Sequence, residues 1–178
     1  MSKKHNIIAI LEDIRSAHNV GAMFRTSEGA GISELILTGI TPYPPHNRIP
    51  KTALGSIENV NWKHNPDKQS VYEDLKLKNI PLVVIEINNK SKPYTEYSFT
   101  EPIAVVFGNE IQGVSELATS YADATLHVPM FGKKRITKCG NSFWYNRLRD
   151  HKTISCLESF PEKKRVENFC HQFALVDL

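Results

Sequence analysis

Apolar and polar positions along the chain follow two alternating patterns that together predict an α/β fold. Five short runs are almost continuously apolar and rich in β-branched residues, a pattern typical of strands buried on both faces. They cover residues 6–12, 34–40, 80–88, 102–110 and 124–130. Because such strands belong to parallel sheets, the pattern predicts a parallel sheet with helices on both faces.

Helix-compatible stretches separate these runs. They are NVGAMFRTSEGA at 19–30, SVYEDLKLKN at 70–79 with Ser70 as the predicted N-cap, and VSELATSYA at 114–122. The predicted order is β, α, β, loop, α, β, α, β, α, β, with right-handed crossovers. The segment at 41–50, TPYPPHNRIP, carries four prolines and is predicted to be a stiff exposed connection inside one domain. Ligands of such sheets bind where the strands end, at the carboxyl edge.

Composition narrows the class of protein without identifying its partner. The chain has 178 residues, 40% hydrophobic and 23% charged, with a formal charge of +3, which suits one α/β domain. A mildly basic balance permits a polyanionic partner but does not indicate one by itself. The three cysteines, Cys139, Cys156 and Cys170, match no zinc or redox spacing, and neither do His151 and His171. With no apolar run of membrane-spanning length and no leader-like start, we expect a cytoplasmic protein without a membrane partner.

The segment HNVGAMFRTSEGAG (18–31) follows the first predicted strand and carries an amide and a guanidinium. Asn19 lies near the start of the predicted helix, and Arg25 lies about two turns later. An arginine at this position offers a rigid fork of donors that matches phosphate oxygens. The alternative is a purely structural helix, with Asn19 as N-cap and Arg25 either snorkelling or paired to Glu28.

The segment VVFGNEIQGVSE (105–116) leads from a buried strand into a glycine-bearing bend. Gly108 allows the backbone to approach a ligand closely, and Asn109 and Glu110 place polar groups at the carboxyl edge. The spacing is neither a P-loop nor GxGxxG, and Glu110 would repel an anion, so a neutral or cationic ligand fits better. The alternative is an ordinary strand-turn-helix connection whose glycines, including Gly113, serve only the backbone.

A third strand end of the same kind occurs in VPMFGKK (128–134). Pro129 closes the strand, and Met130 and Phe131 offer apolar contacts to a flat or sulfur-bearing ligand. Taken alone, this segment is equally compatible with a core strand that leaves the sheet.

Together the three segments resemble the SpoU/TrmH branch of the SPOUT superfamily, whose members are RNA ribose 2'-O-methyltransferases that use S-adenosylmethionine. KTALGSIENV (51–60) also looks like that family's segment after the second strand, and the resemblance extends over residues 6–134. It implies a SPOUT-type methyltransferase domain at 1–134 whose C-terminal strand ends form a trefoil knot. It also implies a homodimer that acts on tRNA or rRNA and not on DNA.

The resemblance further implies roles for individual residues. The segment near Ile87, then Gly108, and Val128 with Met130 would surround the cofactor, largely through backbone groups. Arg25 would bind the target ribose and its phosphate, Asn19 would support Arg25, and Glu110 would organise the site. Because a guanidinium stays protonated in proteins, we expect Arg25 to hold phosphate and stabilise alkoxide charge.

The family pattern stops after Lys134. Family members continue with Ser-Leu-Asn and a small-residue helix, whereas this chain continues with Arg-Ile-Thr-Lys. We therefore interpret 135–178 as an aberrant tail without a domain of its own, which would leave the knot incomplete. A one-base frame shift near Lys133 to Arg135 accounts for the break, because Arg-Ile-Thr-Lys-Cys can be encoded so that the shifted frame reads Glu-Ser-Leu-Asn.

Two other functions stay open on the sequence alone. One is a catalytically inactive RNA-binding protein that keeps the fold but lacks a complete cofactor pocket. The other is an unrelated nucleotide-binding α/β domain, which would prefer a phosphorylated nucleotide.

Overall fold

The computed structural model describes residues 5–128, and within them a seven-stranded sheet forms the centre of the protein. The strand order is β3-β2-β1-β6-β4-β7-β5, and every strand pair is parallel. The bounds are β1 His5–Glu12, β2 Ile32–Thr38, β3 Trp62–Asn65, β4 Leu82–Ile85, β5 Lys92–Pro93, β6 Ile103–Phe107 and β7 Ala124–His127. The predicted parallel sheet is confirmed.

In the described part of the chain, four α-helices and two 3-10 turns connect the strands. The helices are α1 Ala17–Ala30, α2 Ile49–Ala53, α3 Lys68–Leu77 and α4 Glu116–Tyr121. The 3-10 turns span Ser56–Glu58 and Tyr94–Glu96. Within residues 5–128, none of the helices combines the length and apolar character that crossing a bilayer requires.

The sheet separates two apolar cores, as expected for strands whose successive side chains point to opposite faces. On one face, α1 and α2 bury Val20, Phe24 and Ile49 against alternate positions of β1, β2 and β6. On the other face, α3 and α4 bury Tyr72 and Ala118 against the intervening positions of the same strands. Helices therefore cover both faces, as predicted.

Several predicted boundaries are wrong, because the side chains that cap these helices lie outside the apolar pattern on which the prediction rests. α1 starts at Ala17, so Ser16 and not Asn19 is its N-cap. α3 starts at Lys68, and its N-cap is Asp67 and not Ser70, because the Asp67 carboxylate accepts the amides of Gln69 and Ser70.

The sequence pattern also missed short elements. β3 and β5 are too short and too polar to produce an apolar run, and α2 is a single turn at the end of the proline-rich connection. The helix predicted between the third and fourth runs is replaced by β5 and the 3-10 turn at Tyr94–Glu96. The apolar runs themselves extend beyond the strands, since 80–88 contains only β4 and 102–110 only β6.

Pro129, Met130, Phe131, the three cysteines and the tail after Lys134 lie outside the described residues. The trefoil knot, the domain boundary at 134 and the interpretation of the tail accordingly stay predictions.

Candidate active site

The carboxyl ends of the central strands meet side by side at one edge of the sheet. Phe107 at the end of β6 pairs with Leu11 of β1 and with Ile85 of β4, and Ile85 in turn pairs with Leu126 of β7. The residues that follow these strands are therefore neighbours. Gly108, Ile87 and Val128, predicted from three separate segments, all leave the sheet at this edge.

The bend after β6 is closed by its own backbone and by one side chain. Asn109 and Gly113 exchange both main-chain hydrogen bonds, at 3.0 and 2.8 Å. The Asn109 side-chain oxygen accepts the amides of Ile111 and Gln112, and its amide group donates to the Asp13 carbonyl at 2.7 Å. We call residues 109–113 the β6 bend. Hydrogen bonds within the β6 bend fix its shape, and the bond to Asp13 connects it to the end of β1.

Two glycines allow the β6 bend to fold back on the strand end. A Cβ at Gly108 would overlap the backbone of Gly113 and Val114, so only glycine permits this contact. Gly113 has a φ of 77°, in the left-handed region that favours glycine, and a Cβ there would overlap the Glu86 carboxylate. That carboxylate accepts the amides of Val114 and Ile87, both at 2.9 Å. Glu86 thereby links the end of β4 to the β6 bend.

Glu110 joins the β6 bend to the start of α1. Its carboxylate accepts the backbone amides of Arg15 (3.1 Å) and Ser16 (3.1 Å) and the side-chain amide of Asn19 (3.2 Å). The first turn of α1 contains no acidic residue of its own. Glu110 supplies the negative charge that the amino end of a helix favours, from 91 positions away in sequence from Asn19. Two of the predicted site residues are thus in direct contact.

We expect Glu110→Gln to destabilise the fold by about 1–2 kcal/mol, because a neutral amide places an N–H against donors that need an acceptor. Urea unfolding followed by circular dichroism measures the change. Glu73→Gln is the matched control, since Glu73 is exposed in the middle of α3 and should change stability by less than about 0.5 kcal/mol. Equal stabilities of the Glu110 and Glu73 variants would contradict this account.

Arg25 lies on the exposed side of α1, about two turns beyond Asn19. Within residues 5–128 its guanidinium makes no hydrogen bond or ion pair. The alternative pairing with Glu28 is wrong, because Glu28 accepts hydrogen bonds from Ser56 and Asn59, both at 2.5 Å. The Arg25 donors are therefore free of that carboxylate.

The same contacts bring the segment at 51–60 against α1. The Thr52 hydroxyl donates to the His18 carbonyl at 2.8 Å. A Cβ at Gly21 would overlap Thr52 and Ile49, so glycine at this position lets α2 approach α1 closely. Two of the segments that carry the family resemblance therefore form one packed unit.

A buried carboxylate at the end of β1 fixes the starts of two further helices. Glu12 is 1% exposed and accepts from the amide (2.9 Å) and hydroxyl (2.6 Å) of Ser115, the N-cap of α4. Lys68, at the start of α3, lies 3.7 Å from Glu12 and 2.7 Å from Asp13. The hydrogen bond to Asp13 raises the pKa of Lys68, and the Glu12 charge adds to the effect.

Tyr72 of α3 lies beneath this cluster and should make stability depend on alkaline pH. Its hydroxyl is buried with no hydrogen-bond partner among residues 5–128, and burial, followed by the Glu12 charge, raises its pKa above the ordinary value of 10.0. A raised folded-state pKa gives stability that is complete below the unfolded pKa and is lost as pH rises above it. We therefore expect the free energy of unfolding to fall above about pH 10, by about 1.4 kcal/mol per pH unit for this group.

Tyr72→Phe tests that expectation. It should lessen the alkaline loss of stability, measured by urea unfolding between neutral and alkaline pH, and cost little at neutral pH because the hydroxyl has no partner. Lys68 contributes with the same sign, so some alkaline loss should persist. Tyr43→Phe, at an exposed ring, is the control, and identical pH dependence in both variants would refute the role of Tyr72.

The predicted site residues fall into two groups. Gly108, Ile87 and Val128 lie along the carboxyl edge, and Ile87 is 50% exposed while Val128 is buried. Asn19 and Glu110 are bonded to each other beside that edge, and Arg25 lies further along α1. Met130 is outside the described residues.

Comparison with known proteins then places the chain in a family. Residues 6–136 match the SpoU rRNA Methylase family. This chain belongs to that family. The SpoU match includes every predicted site residue, together with the packed segment at 51–60.

Curated relatives of this SpoU chain include RNA methyltransferases of low identity. A tRNA (guanosine(18)-2'-O)-methyltransferase of Thermus thermophilus is 28% identical over 130 residues, which are 73% of this chain and 66% of the relative. The enzyme of that name from Escherichia coli is 22% identical over 130 residues, 73% of this chain and 56% of its own. Across the curated relatives the chain spans between 50% and 66% of their length.

Solved structures show the same fold. The A. aeolicus TrmH/SpoU tRNA modifying enzyme has a TM-score of 0.65 at 21% identity, covering 99% of this chain and 91% of that one. The SpoU methyltransferase AviRb from Streptomyces viridochromogenes, in complex with AdoMet, has a TM-score of 0.68 at 16% identity, covering 98% and 61%. The SpoU architecture predicted from the sequence is confirmed at the level of the sheet and its helices.

Sequence reasoning missed Glu12 and Glu86 as parts of the site. Both lie inside apolar runs that predict strands, so the pattern assigns them to the sheet and not to the site. The available signal was their position, since each is a carboxylate at or just after the last residue of a strand that ends at the carboxyl edge.

Proposed function

We propose that this chain is an S-adenosylmethionine-dependent RNA ribose 2'-O-methyltransferase that acts on tRNA or rRNA. The observation that carries the proposal is the Glu110 carboxylate, which bonds the β6 bend to the start of α1. Through it, the strand-end edge and the helix that bears Arg25 become one site. Membership of the SpoU family and the names of the curated relatives support the reaction class.

The residues at the carboxyl edge fit the cofactor's chemistry. Glu12, Glu86 and Glu110 place three carboxylates at or beside this edge, and each accepts hydrogen bonds from backbone amides. An edge of this charge favours a sulfonium cation over an anionic nucleotide. The exposed side chain of Ile87 offers apolar contact, and Gly108 and Val128 bring backbone groups to the same place. These residues would hold the cofactor.

When bound, S-adenosylmethionine supplies an electrophilic methyl group. The chain's own residues must then position the ribose oxygen in line with that methyl group and stabilise the charge that develops as the hydroxyl loses its proton. Arg25 suits this role, because the planar fork of donors on a guanidinium matches two oxygens of a phosphate. Glu110 holds Asn19, and through it the first turn of the helix that carries Arg25.

Transfer of labelled methyl groups from S-adenosylmethionine to unmodified tRNA and rRNA tests the proposal. We expect label in ribose 2'-O positions after nuclease digestion and chromatography. Calorimetry with S-adenosylmethionine separates the alternative: binding with transfer supports the enzyme, whereas RNA binding without cofactor binding supports the inactive RNA-binding protein. A preference for a phosphorylated nucleotide would indicate the third possibility.

We further propose, from the family resemblance, that the chain acts in the cytoplasm as a homodimer with a trefoil knot at its C-terminal strand ends. Ile87 and Ile111 leave apolar surface exposed beside the carboxyl edge, which is compatible with coverage by a second copy. Light scattering coupled to gel filtration measures the oligomeric state, and a monomer at all concentrations would contradict the homodimer.

A further inference from the structure

A concave surface lies at the carboxyl edge, two strands away from the β6 bend. It is a depression of about 540 Å³ lined by residues 39–43 together with Pro45, His46 and His64. We call it the Tyr43 cleft. It is formed by the connection after β2 and by His64 near the end of β3, and it includes none of the residues predicted for the cofactor or for catalysis.

The floor of the Tyr43 cleft is a pair of stacked rings. The Tyr43 and His64 ring centroids are 3.8 Å apart, with 18° between the ring planes. Tyr43 remains 45% exposed, and no hydrogen bond to its hydroxyl occurs within residues 5–128. His64 covers one face of the tyrosine ring, so a further flat ring can extend the stack on the open side. A tyrosine that presents an open face is the kind of platform on which nucleobases stack.

The connection that carries Tyr43 is held in place by the strands beneath it. Thr41 is buried, and its hydroxyl lies 3.0 Å from the Leu11 carbonyl and accepts the Ile14 amide at 3.0 Å. The Tyr43 carbonyl accepts the His46 amide at 3.1 Å. The stacked rings are therefore preformed, which lowers the conformational entropy lost when a ligand binds.

The charge of this connection suits a polyanion. Residues 39–57 include His46, Arg48 and Lys51 and contain no Asp or Glu. Arg48 and Lys51 are both exposed. Arg48 and Lys51 do not line the cleft but follow its lining residues closely in sequence, so they would meet phosphates beside it. The Asp13 carboxylate, which accepts the Ile40 amide at 3.0 Å, is paired with Lys68 at 2.7 Å.

The cleft lies near the proposed site of methyl transfer, on the same edge of the sheet. β2 is two strands from β6, and β3, which carries His64, is three strands from it. At about 4.8 Å per strand, the stacked rings lie roughly 10–15 Å from the β6 bend along the edge. A short stretch of RNA backbone can span that distance.

We propose that Tyr43 and His64 form a stacking site for an unpaired base of the RNA substrate, flanking the nucleotide that is methylated. This inference rests on the proposed function, since it assigns part of the RNA to this surface. The site tolerates any base, because stacking uses the flat face and not the hydrogen-bonding edge. It requires the base to be unpaired and turned out of a helix, so it selects RNA shape more than sequence.

Fluorescence anisotropy with a labelled single-stranded RNA of about twelve nucleotides tests the site on the full chain. We expect Tyr43→Ala to weaken binding about tenfold, the low end of what a stacked base contributes. Tyr43→Leu keeps apolar bulk without an aromatic ring and should lose a similar factor. Tyr43→Phe should bind within about twofold of the original protein, and His64→Ala should lie between these limits.

The outcomes separate this inference from the proposed function when methyl transfer to RNA is measured in parallel. Loss of RNA affinity in Tyr43→Ala and Tyr43→Leu, with Tyr43→Phe unaffected, supports the stacking site whether or not methyl transfer occurs. Unchanged affinity in these variants overturns it, even if the protein methylates RNA. A Tyr43→Phe loss as large as that of Tyr43→Ala also overturns it, because the hydroxyl and not the ring would then carry the contact. Failure of the original protein to bind the RNA overturns it too.

Discussion

Replacing Arg25 by alanine should lower the rate of methyl transfer to RNA by about two to three orders of magnitude, the usual cost of removing a donor that stabilises developing charge. Arg25 lies on the exposed side of α1 and makes no ion pair within residues 5–128, so its loss should leave the fold intact. Single-turnover transfer of labelled methyl groups measures the rate, and calorimetry should show cofactor affinity within about threefold of the original.

Two further variants sharpen that test. Arg25→Lys keeps the charge but loses the planar fork, so its rate should fall between those of the original and of Arg25→Ala. Lys78→Ala removes an exposed cation that pairs with Asp74 of α3 at 2.7 Å, and it should leave the rate unchanged. A rate for Arg25→Ala equal to that for Lys78→Ala would remove Arg25 from the mechanism.

Gly108→Ala should weaken binding of S-adenosylmethionine about tenfold or more and destabilise the fold by about 1–3 kcal/mol. An added Cβ would overlap the backbone at Gly113 and Val114, so the β6 bend must move away from the strand end. Calorimetry with the cofactor and urea unfolding measure the two effects.

Gly29→Ala is the matched control, because a Cβ at Gly29 meets nothing within 4 Å and the residue lies in α1. It should stabilise the fold by about 0.5 kcal/mol, since alanine favours helix more than glycine, and leave cofactor affinity unchanged. Similar results for the two alanine variants would show that close contact at Gly108 does not shape the pocket.

The sheet was predictable from the sequence because its strands are buried on both faces. β1, β2, β4 and β6 are nearly uniformly apolar, so their runs predict both the strands and the parallel arrangement. β3 and β5 were not predictable, since WKHN and KP lie at the sheet margins and carry polar side chains. Boundaries failed where a cap lies outside the apolar pattern, as Asp67 does for α3.

The site was predictable only in part. The resemblance of three sequence segments to the SpoU/TrmH family selects Asn19, Gly108 and Glu110. The structure places these residues beside one edge of the sheet. Which atoms join them depends on contacts between residues about ninety positions apart, such as Glu110 with Ser16, and no local pattern encodes those contacts. The stacked pair of Tyr43 and His64 is equally hidden, because its two rings come from different connections.

Because β1 lies between β2 and β6 in the sheet, one of its edges stays unpaired for much of the synthesis of the chain. β1 emerges before the other six strands of the described sheet, yet its pairing partner on one side, β6, starts only at Ile103. Until that residue leaves the ribosome, this largely apolar strand has one open edge, and open apolar edges recruit other chains. Products truncated before Ile103 should therefore accumulate as insoluble material, and shielding by a chaperone should matter most in that interval.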